Sequence, residues 1–283
     1  CGFVGDLTNM ETSFIFKEFF ERTIDSNKYE SRAVRNFIDT SVRENYLFNS
    51  KINGIEESDL ILMIGANPRF EATMVNARIR KAYLNKNLKI ISLNDVGDLT
   101  YPYQSLDGKT QTIKEIVENK DDVSKLIINS KKPIIIFGES FFKIKSAKYL
   151  FFSFKEFLFN KNKLTKDWNP INILPVDAAT IGSLDLDIID ESNKLLDDLN
   201  ENKFEIVYLL GQDNLDFKKK NEFVIYQGSH GDKGAEIADI ILPGAAFTEQ
   251  PGHYTNLEGK IQKAYKASYP PGDAKEDWQI IND

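Results

Sequence analysis

Four short apolar runs each end in glycine, and they organise the reading of the chain. Asp59–Ile64 (DLILMI), residues 134–138 (IIIFG), Glu205–Leu210 (EIVYLL) and Phe223–Gln227 (FVIYQ) are continuous rather than alternating. A strand in a parallel sheet, covered by helices on both faces, has this pattern. Gly65, Gly138, Gly211 and Gly228 follow them. After the first run, Asn67 is placed to cap a helix and Pro68 to begin it. Ala72, Val75, Ile79, Ala82 and Tyr83 then recur at helical spacing, and Lys89–Leu93 (KIISL) is a second strand. The unit reads as a βαβ crossover.

Elsewhere the pattern is coarser. Residues 9–22 read as a helix capped by Asn9 or Thr8, although their apolar positions do not form a clean stripe. Residues 143–160 read as an aromatic-rich helix whose phenylalanines belong to a core, and 172–187 as a loop. Residues 252–265 read as a hairpin turning at Asn256–Gly259, and a helix begins near Asp273. The architecture implied is α/β with two units: an inserted one over 51–130, and a discontinuous one from 1–50 and 131–283.

Composition narrows the chemistry. The 283 residues are 41% apolar and 28% charged, with a net charge of −7. That is a globular composition without the basic face of a nucleic-acid binder. The run Lys218-Lys219-Lys220 reads as a solvated loop. A single cysteine, Cys1, supports neither a disulfide framework nor a cluster ligated by thiolates of this chain alone. No apolar run is long enough to span a membrane. The sequence opens on Cys1 rather than Met, as a processed or partial chain would.

Ligands of open α/β sheets bind beyond the carboxyl ends of the strands, where glycine lets a backbone come close. Gly65, Gly138, Gly211 and Gly228 are therefore candidates, and a tight strand-to-helix turn explains them equally well. The stretch from Tyr226 to Gly259 holds both histidines, His230 and His253, and six of the sixteen glycines. No Walker loop, Rossmann fingerprint, HExxH or GxSxG occurs. No spacing joins the histidines to Asp232 or Glu249 as a metal site, and no catalytic set is visible. Arg69, Arg78, Arg80 and Lys81 surround one helix. The N-terminal end of that helix, at Asn67, Pro68 and Arg69, would bind an anion or, the favoured reading, Arg78 and Arg80 form salt bridges to a neighbouring domain.

Three segments carry a family likeness: IEESDLILMIGANPRFEATMVNARIRKAYLNKNLKIISLNDVGDLTY, FEIVYLLGQDN, and YQGSHGDKGAEIADIILPGAAFTEQPGHYTNLEGKIQ followed by PPGDAKEDWQII. Together they resemble the molybdopterin-oxidoreductase superfamily. Within it they are most similar to the C-terminal half of the large iron–sulfur subunits of respiratory NADH:ubiquinone oxidoreductase, complex I.

The resemblance implies two parallel-sheet α/β units with a degenerate cofactor site. Its vestigial cleft would involve Gly65, Asn67, Gly138, Gly211, Gly228 and His230, with no metal and no catalytic residue. His253 stands where the superfamily motif usually has Thr, and Lys260 where it usually has Arg. The iron–sulfur clusters and FMN are then expected on partner chains or on the absent iron–sulfur half, and the partners are other complex I subunits, especially the flavoprotein ones. The implied location is the matrix side of the mitochondrial inner membrane. Two alternatives stand beside this: a nucleotide-binding regulatory module, and a fragment of a pterin-dependent oxidoreductase.

Overall fold

The computed structural model describes residues 1–31, 38–86, 88–189, 194–215 and 217–283. Among these lie twelve strands: β1 Gly2–Val4, β2 Tyr29–Ser31, β3 Leu60–Ile64, β4 Lys89–Ser92, β5 Gln104–Ser105, β6 Pro133–Gly138, β7 Ile171–Leu174, β8 Ile206–Leu210, β9 Phe223–Gly228, β10 Ile240–Pro243, β11 Gly252–Thr255 and β12 Ile261–Ala264. The chain divides into a first unit of Cys1–Arg35, Asp177–Asn256 and Lys260–Asp283, and a second of Asn36–Val176 with Leu257–Gly259.

In the second unit an all-parallel sheet runs in the order β5-β4-β3-β6-β7. β3 is apolar throughout because both its faces are covered. Leu60, Leu62 and Ile64 pack on the side of Phe137, Phe151 and Phe154, while Ile61 and Met63 pack on the side of Val75, Ile79 and Ala82. The unit extends past the expected limit at residue 130. Leu60–Ile64 pairs in register with residues 133–137, so β6 and then β7 join this sheet rather than the other. Its start also lies before residue 51. Phe48 bridges to Asn172 and donates its N–H to the Leu257 carbonyl.

The first unit carries a second parallel sheet, ordered β10-β9-β8-β1-β2. Phe3, Val207, Leu209, Val224 and Tyr226 form one core with Leu195 and Leu199; Val4, Tyr208 and Leu210 form another with Phe16 and Phe20. Asn9 caps the helix Met10–Glu18 through Thr12 N–H. That helix continues as a wider π-helical turn, Phe19–Ile24, ended by Asp25 at φ 55°. Phe16 and Phe20, four residues apart, are buried while Phe14 is exposed.

Several local expectations shift. Residues 172–187 are not a loop but hold most of β7 and the helix Thr180–Asp185. Small residues suit this helix, because a Cβ on Gly182 would touch Met10. The aromatic helix begins at Ala147, after a separate turn at Glu139–Phe142. Phe151, Phe154 and Phe157 are buried, but Phe159 is 63% exposed. The final helix is Asp277–Asn282 rather than one starting near Asp273. β11 and β12 form the antiparallel hairpin, with Gly259 at φ 78°.

Candidate functional site

Each sheet has a point where the strand order reverses. In the second unit it lies between β3 and β6, and in the first between β1 and β8. Doubly wound sheets open a ligand crevice there, outside the carboxyl ends of the two strands. The sequence candidates Gly65 and Gly138 fall at the first of these points, and Gly211 at the second.

In both units glycine packs on glycine backbone at the reversal point. Gly65 has φ 65°, and a Cβ on Gly138 would lie 2.2 Å from the Gly65 carbonyl oxygen and 2.6 Å from Ala66 Cα. Ser140 Oγ donates to the same carbonyl at 2.6 Å. In the first unit Gly211 has φ 57°, and a Cβ on Gly5 would lie 1.8 Å from the Gly211 carbonyl oxygen. One glycine of each pair makes a left-handed turn, and the other admits that turn's carbonyl. Gly5 was missed in the sequence because its apolar run, Gly2–Val4, is only three residues long. Gly228 differs: a Cβ there would meet the Tyr226 hydroxyl at 2.3 Å, so its smallness serves a side chain of the same strand.

Asn67 does not act as the expected helix cap. Its Nδ2 donates to the Val96 carbonyl at 3.0 Å, and its backbone N–H donates to Glu71 at 2.8 Å. The helix after it is a single turn, Pro68–Glu71, interrupted at Ala72 before Thr73–Asn85 begins. Arg78 pairs inside its own unit, not with a neighbouring domain, and so do Arg69 and Lys81. Arg69 meets Asp98 at 2.6 Å, while Arg78 and Lys81 both hold Glu56. Neighbouring Lys81 and Arg78 draw the Glu56 carboxyl below its usual range.

Beyond β1 and β8 of the first unit lies a cleft of about 400 Å3, lined by Asp6, Gly211, Asp213, Asn214, Asp232 and Lys233 among others. Burial raises the Asp213 carboxyl above its usual range, and nearby Asp232 adds to the effect. The Tyr226 hydroxyl lies 3.1 Å from both Asp213 Oδ2 and the His230 carbonyl oxygen. The His230 ring is exposed, with Nδ1 at 2.9 Å from Ser229 Oγ. Its backbone thus ties the loop to Tyr226. His253 is placed differently: its N–H donates to Glu11 Oε2 at 2.9 Å and its Nδ1 meets Oε1 of the same carboxylate. Among the described residues no three His, Cys, Asp or Glu side chains are placed to hold a metal. Lys219 pairs with Asp239 at 2.6 Å and Lys220 Nζ donates to the Asn200 carbonyl, which absorbs much of the lysine run's charge.

The most strongly organised polar group was not legible in the sequence. Gln227, fully buried at the end of β9, accepts from the Tyr208 hydroxyl at 2.6 Å and donates Nε2 to Asp277 Oδ1 at 2.9 Å. Gln250, also buried, donates Nε2 to Asp277 Oδ2 at 2.7 Å and accepts the Asp277 N–H at 3.2 Å. Burial raises the Asp277 carboxyl above its usual range, and the two amides oppose that rise. Gly244 makes room, since a Cβ there would lie 2.2 Å from Asp277 Oδ1. The partners are separated by 50 and 27 residues in the chain, so no local spacing signals them.

Comparison with known proteins bears on this arrangement. The family model for molybdopterin oxidoreductase matches residues 1–283. The NADH-ubiquinone oxidoreductase 75 kDa subunit of Reclinomonas americana is 37% identical over 99% of the chain and 42% of its own length. The mitochondrial NADH dehydrogenase [ubiquinone] iron-sulfur protein 1 of Solanum tuberosum is 35% identical over 99% of the chain and 37% of its own length. The chain therefore spans about two fifths of these relatives. Acetylene hydratase from Pelobacter acetylenicus shares the fold, with a TM-score of 0.66 at 12% identity, covering 99% of the chain and 54% of the hydratase.

Proposed function

The chain belongs to the molybdopterin oxidoreductase family, and from that premise we propose that it is the α/β part of the large iron–sulfur subunit of respiratory complex I. The observation that carries this reading is the likeness to the 75 kDa subunit along 99% of the chain. In this reading the chain shapes and docks the NADH-oxidising module of the peripheral arm and holds no redox centre of its own. The iron–sulfur clusters and FMN belong to the partner subunits and to the iron–sulfur half of the same subunit. The module lies on the matrix side of the mitochondrial inner membrane; the Solanum relative's name supports the mitochondrial assignment.

The family implies a pterin–metal cofactor, and the residues of each unit fit one poorly. A phosphate-bearing cofactor needs open backbone N–H groups and unpaired cations. At the second unit's reversal point Gly138 packs against the Gly65 carbonyl, and at the first unit's the Gly5–Gly211 contact lies beside a cleft of about 400 Å3. The first-unit cleft presents Asp6, Asp213 and Asp232 against one lysine, Lys233. In the second unit Arg69, Arg78 and Lys81 are already paired with acids. This misfit supports a scaffold reading, in which the ligand-binding architecture persists as shape.

Purification from detergent-solubilised membranes tests the assignment. The chain should copurify with flavoprotein and iron–sulfur subunits, and the isolated chain should lack a visible chromophore. Migration as a free monomer in native gels would overturn the docking role. Stoichiometric molybdenum or tungsten with extractable pterin would establish the oxidoreductase alternative instead. Calorimetry with NAD(H), ATP and GTP addresses the regulatory alternative, which requires binding at millimolar ligand.

A further inference from the structure

The hairpin of the first unit has two edges in different states. Asn256 N–H donates to the Lys260 carbonyl at 2.9 Å, so these two form a hydrogen-bonded pair. In an antiparallel ladder such pairs recur at every second residue. The register then makes Tyr254 with Gln262, and Gly252 with Ala264, the bonded pairs. His253 faces Lys263 and Thr255 faces Ile261 with their backbone groups turned outward. The outward His253 N–H is taken by Glu11 at 2.9 Å, which confirms the parity and closes that edge.

The other edge is open. β12 pairs with β11 alone among the described strands, leaving the N–H and C=O of Ile261 and Lys263 pointing away from the hairpin. Every residue from Ile261 to Tyr269 except Ala264 is exposed. Ile261 is 62% exposed, and Tyr265 and Tyr269 are each 77% exposed. Ile261, Lys263 and Tyr265 alternate with Gln262 and Ala264, so they share one face. No Asp or Glu occurs between Glu258 and Asp273, where Lys260, Lys263 and Lys266 lie, in a chain of net charge −7, and Lys266 pairs with Glu276 at 3.7 Å. The ammonium groups of Lys263 and Lys266 rest over the rings of Tyr265 and Tyr269, at 5.1 and 4.6 Å from their centroids.

An exposed edge strand presents a row of unpaired backbone groups, a template for pairing with another chain. We propose that the outer edge of β12 is a strand-addition site for an extended, acidic segment of a partner protein. The ladder supplies main-chain hydrogen bonds, Lys263 selects a carboxylate on the incoming strand, and Ile261 and Tyr265 bury its apolar side chains. A lipid surface would use the lysines but not the row of backbone groups. The inference does not depend on which assembly the chain serves.

The assembly purified from its cells provides the test. Carbodiimide couples an ammonium to a carboxylate in contact, so Lys263 should cross-link to an Asp or Glu of another polypeptide, located by mass spectrometry. The amides of Ile261 and Lys263 should exchange at least about tenfold more slowly in the assembly than in the free chain. Lys263→Glu should remove the cross-link. Lys263→Pro should remove the protection while preserving the hairpin, because that N–H does not bond β11. Thermal melting of both free variants at the wild-type temperature shows that folding is intact. Equal exchange in the assembly and the free chain would overturn the proposal. So would cross-links confined to this chain, or the same protection from phosphatidylglycerol vesicles alone.

Discussion

Gly5 and Gly211 meet so closely that a Cβ on Gly5 would lie 1.8 Å from the Gly211 carbonyl oxygen. The contact joins the ends of β1 and β8, beside the cleft that Asp6 and Gly211 line. Gly138 and Gly65 repeat it in the second unit. Gly5→Ala must move backbone, not a flexible side-chain tip, and should cost about 2–3 kcal/mol. Gly231→Ala, whose Cβ would meet nothing within 4 Å, is the matched control. It should stay within about 0.5 kcal/mol of wild type. Urea denaturation of both variants measures the difference.

Asp277→Asn should destabilise the first unit by about 1–2 kcal/mol. The orientation of both glutamines is already committed: Gln227 Oε1 to Tyr208, and Gln250 Oε1 to the residue-277 N–H. Both therefore point Nε2 at residue 277, and an asparagine amide must turn its own N–H groups toward one of them. The midpoint of urea unfolding, with the chain otherwise unchanged, reads this loss.

The same carboxyl gives a pH dependence of defined sign. Burial raises the folded Asp277 pKa, so in the window above the ordinary carboxylate value the folded chain holds a proton that the unfolded chain has released. The Asp277 contribution to stability therefore declines as pH rises through that window and is constant above it. Asp277→Asn should remove that part of the slope, seen as the wild-type minus variant difference in unfolding free energy across acidic pH.

The contact between Glu11 and His253 acts in the opposite direction. Burial alone would raise the Glu11 carboxyl, but the ring and backbone hydrogen bonds from His253 outweigh it and leave it lowered. Its contribution is present above the ordinary carboxylate range and lost as pH falls through the folded value. His253→Ala should move Glu11 upward in a carbon-13 NMR titration. The two side chains are 42% and 44% exposed, so the stability cost should be no more than about 1 kcal/mol.

His230→Ala should be nearly silent. The ring is exposed and meets Ser229 Oγ, while the link to Tyr226 runs through the backbone carbonyl. Stability should change by less than about 0.5 kcal/mol. Electron transfer by the assembly should match wild type at equal assembly levels. A variant that assembles normally but is inactive would give His230 a chemical role.

What could be read from the chain alone was local. Continuous apolar runs marked β3, β6, β8 and β9, because strands buried on both faces leave no polar alternation. Asn9 announced its helix, and Gly259 its hairpin, because caps and left-handed turns depend on the residue at the position. The NPRFEA and GDKGAEIADIILPGAAFTE segments carried the family likeness. Pairing between distant segments was decided only in three dimensions. The side of the domain boundary on which β6 falls depends on its register with β3, some seventy residues earlier. The partner of Arg69 lies in a loop and that of Arg78 ends the short 3-10 turn Asn53–Glu56, and the spacing of the helix marks neither. Gly5 and Gly211 meet because the sheet order brings their strand ends together, and Asp277, at the start of the last helix, reaches Gln227 and Gln250 from 50 and 27 residues away. Glycine in a sequence signals close approach, but whether a ligand or the protein's own backbone comes close is a tertiary fact. In both units it is the backbone.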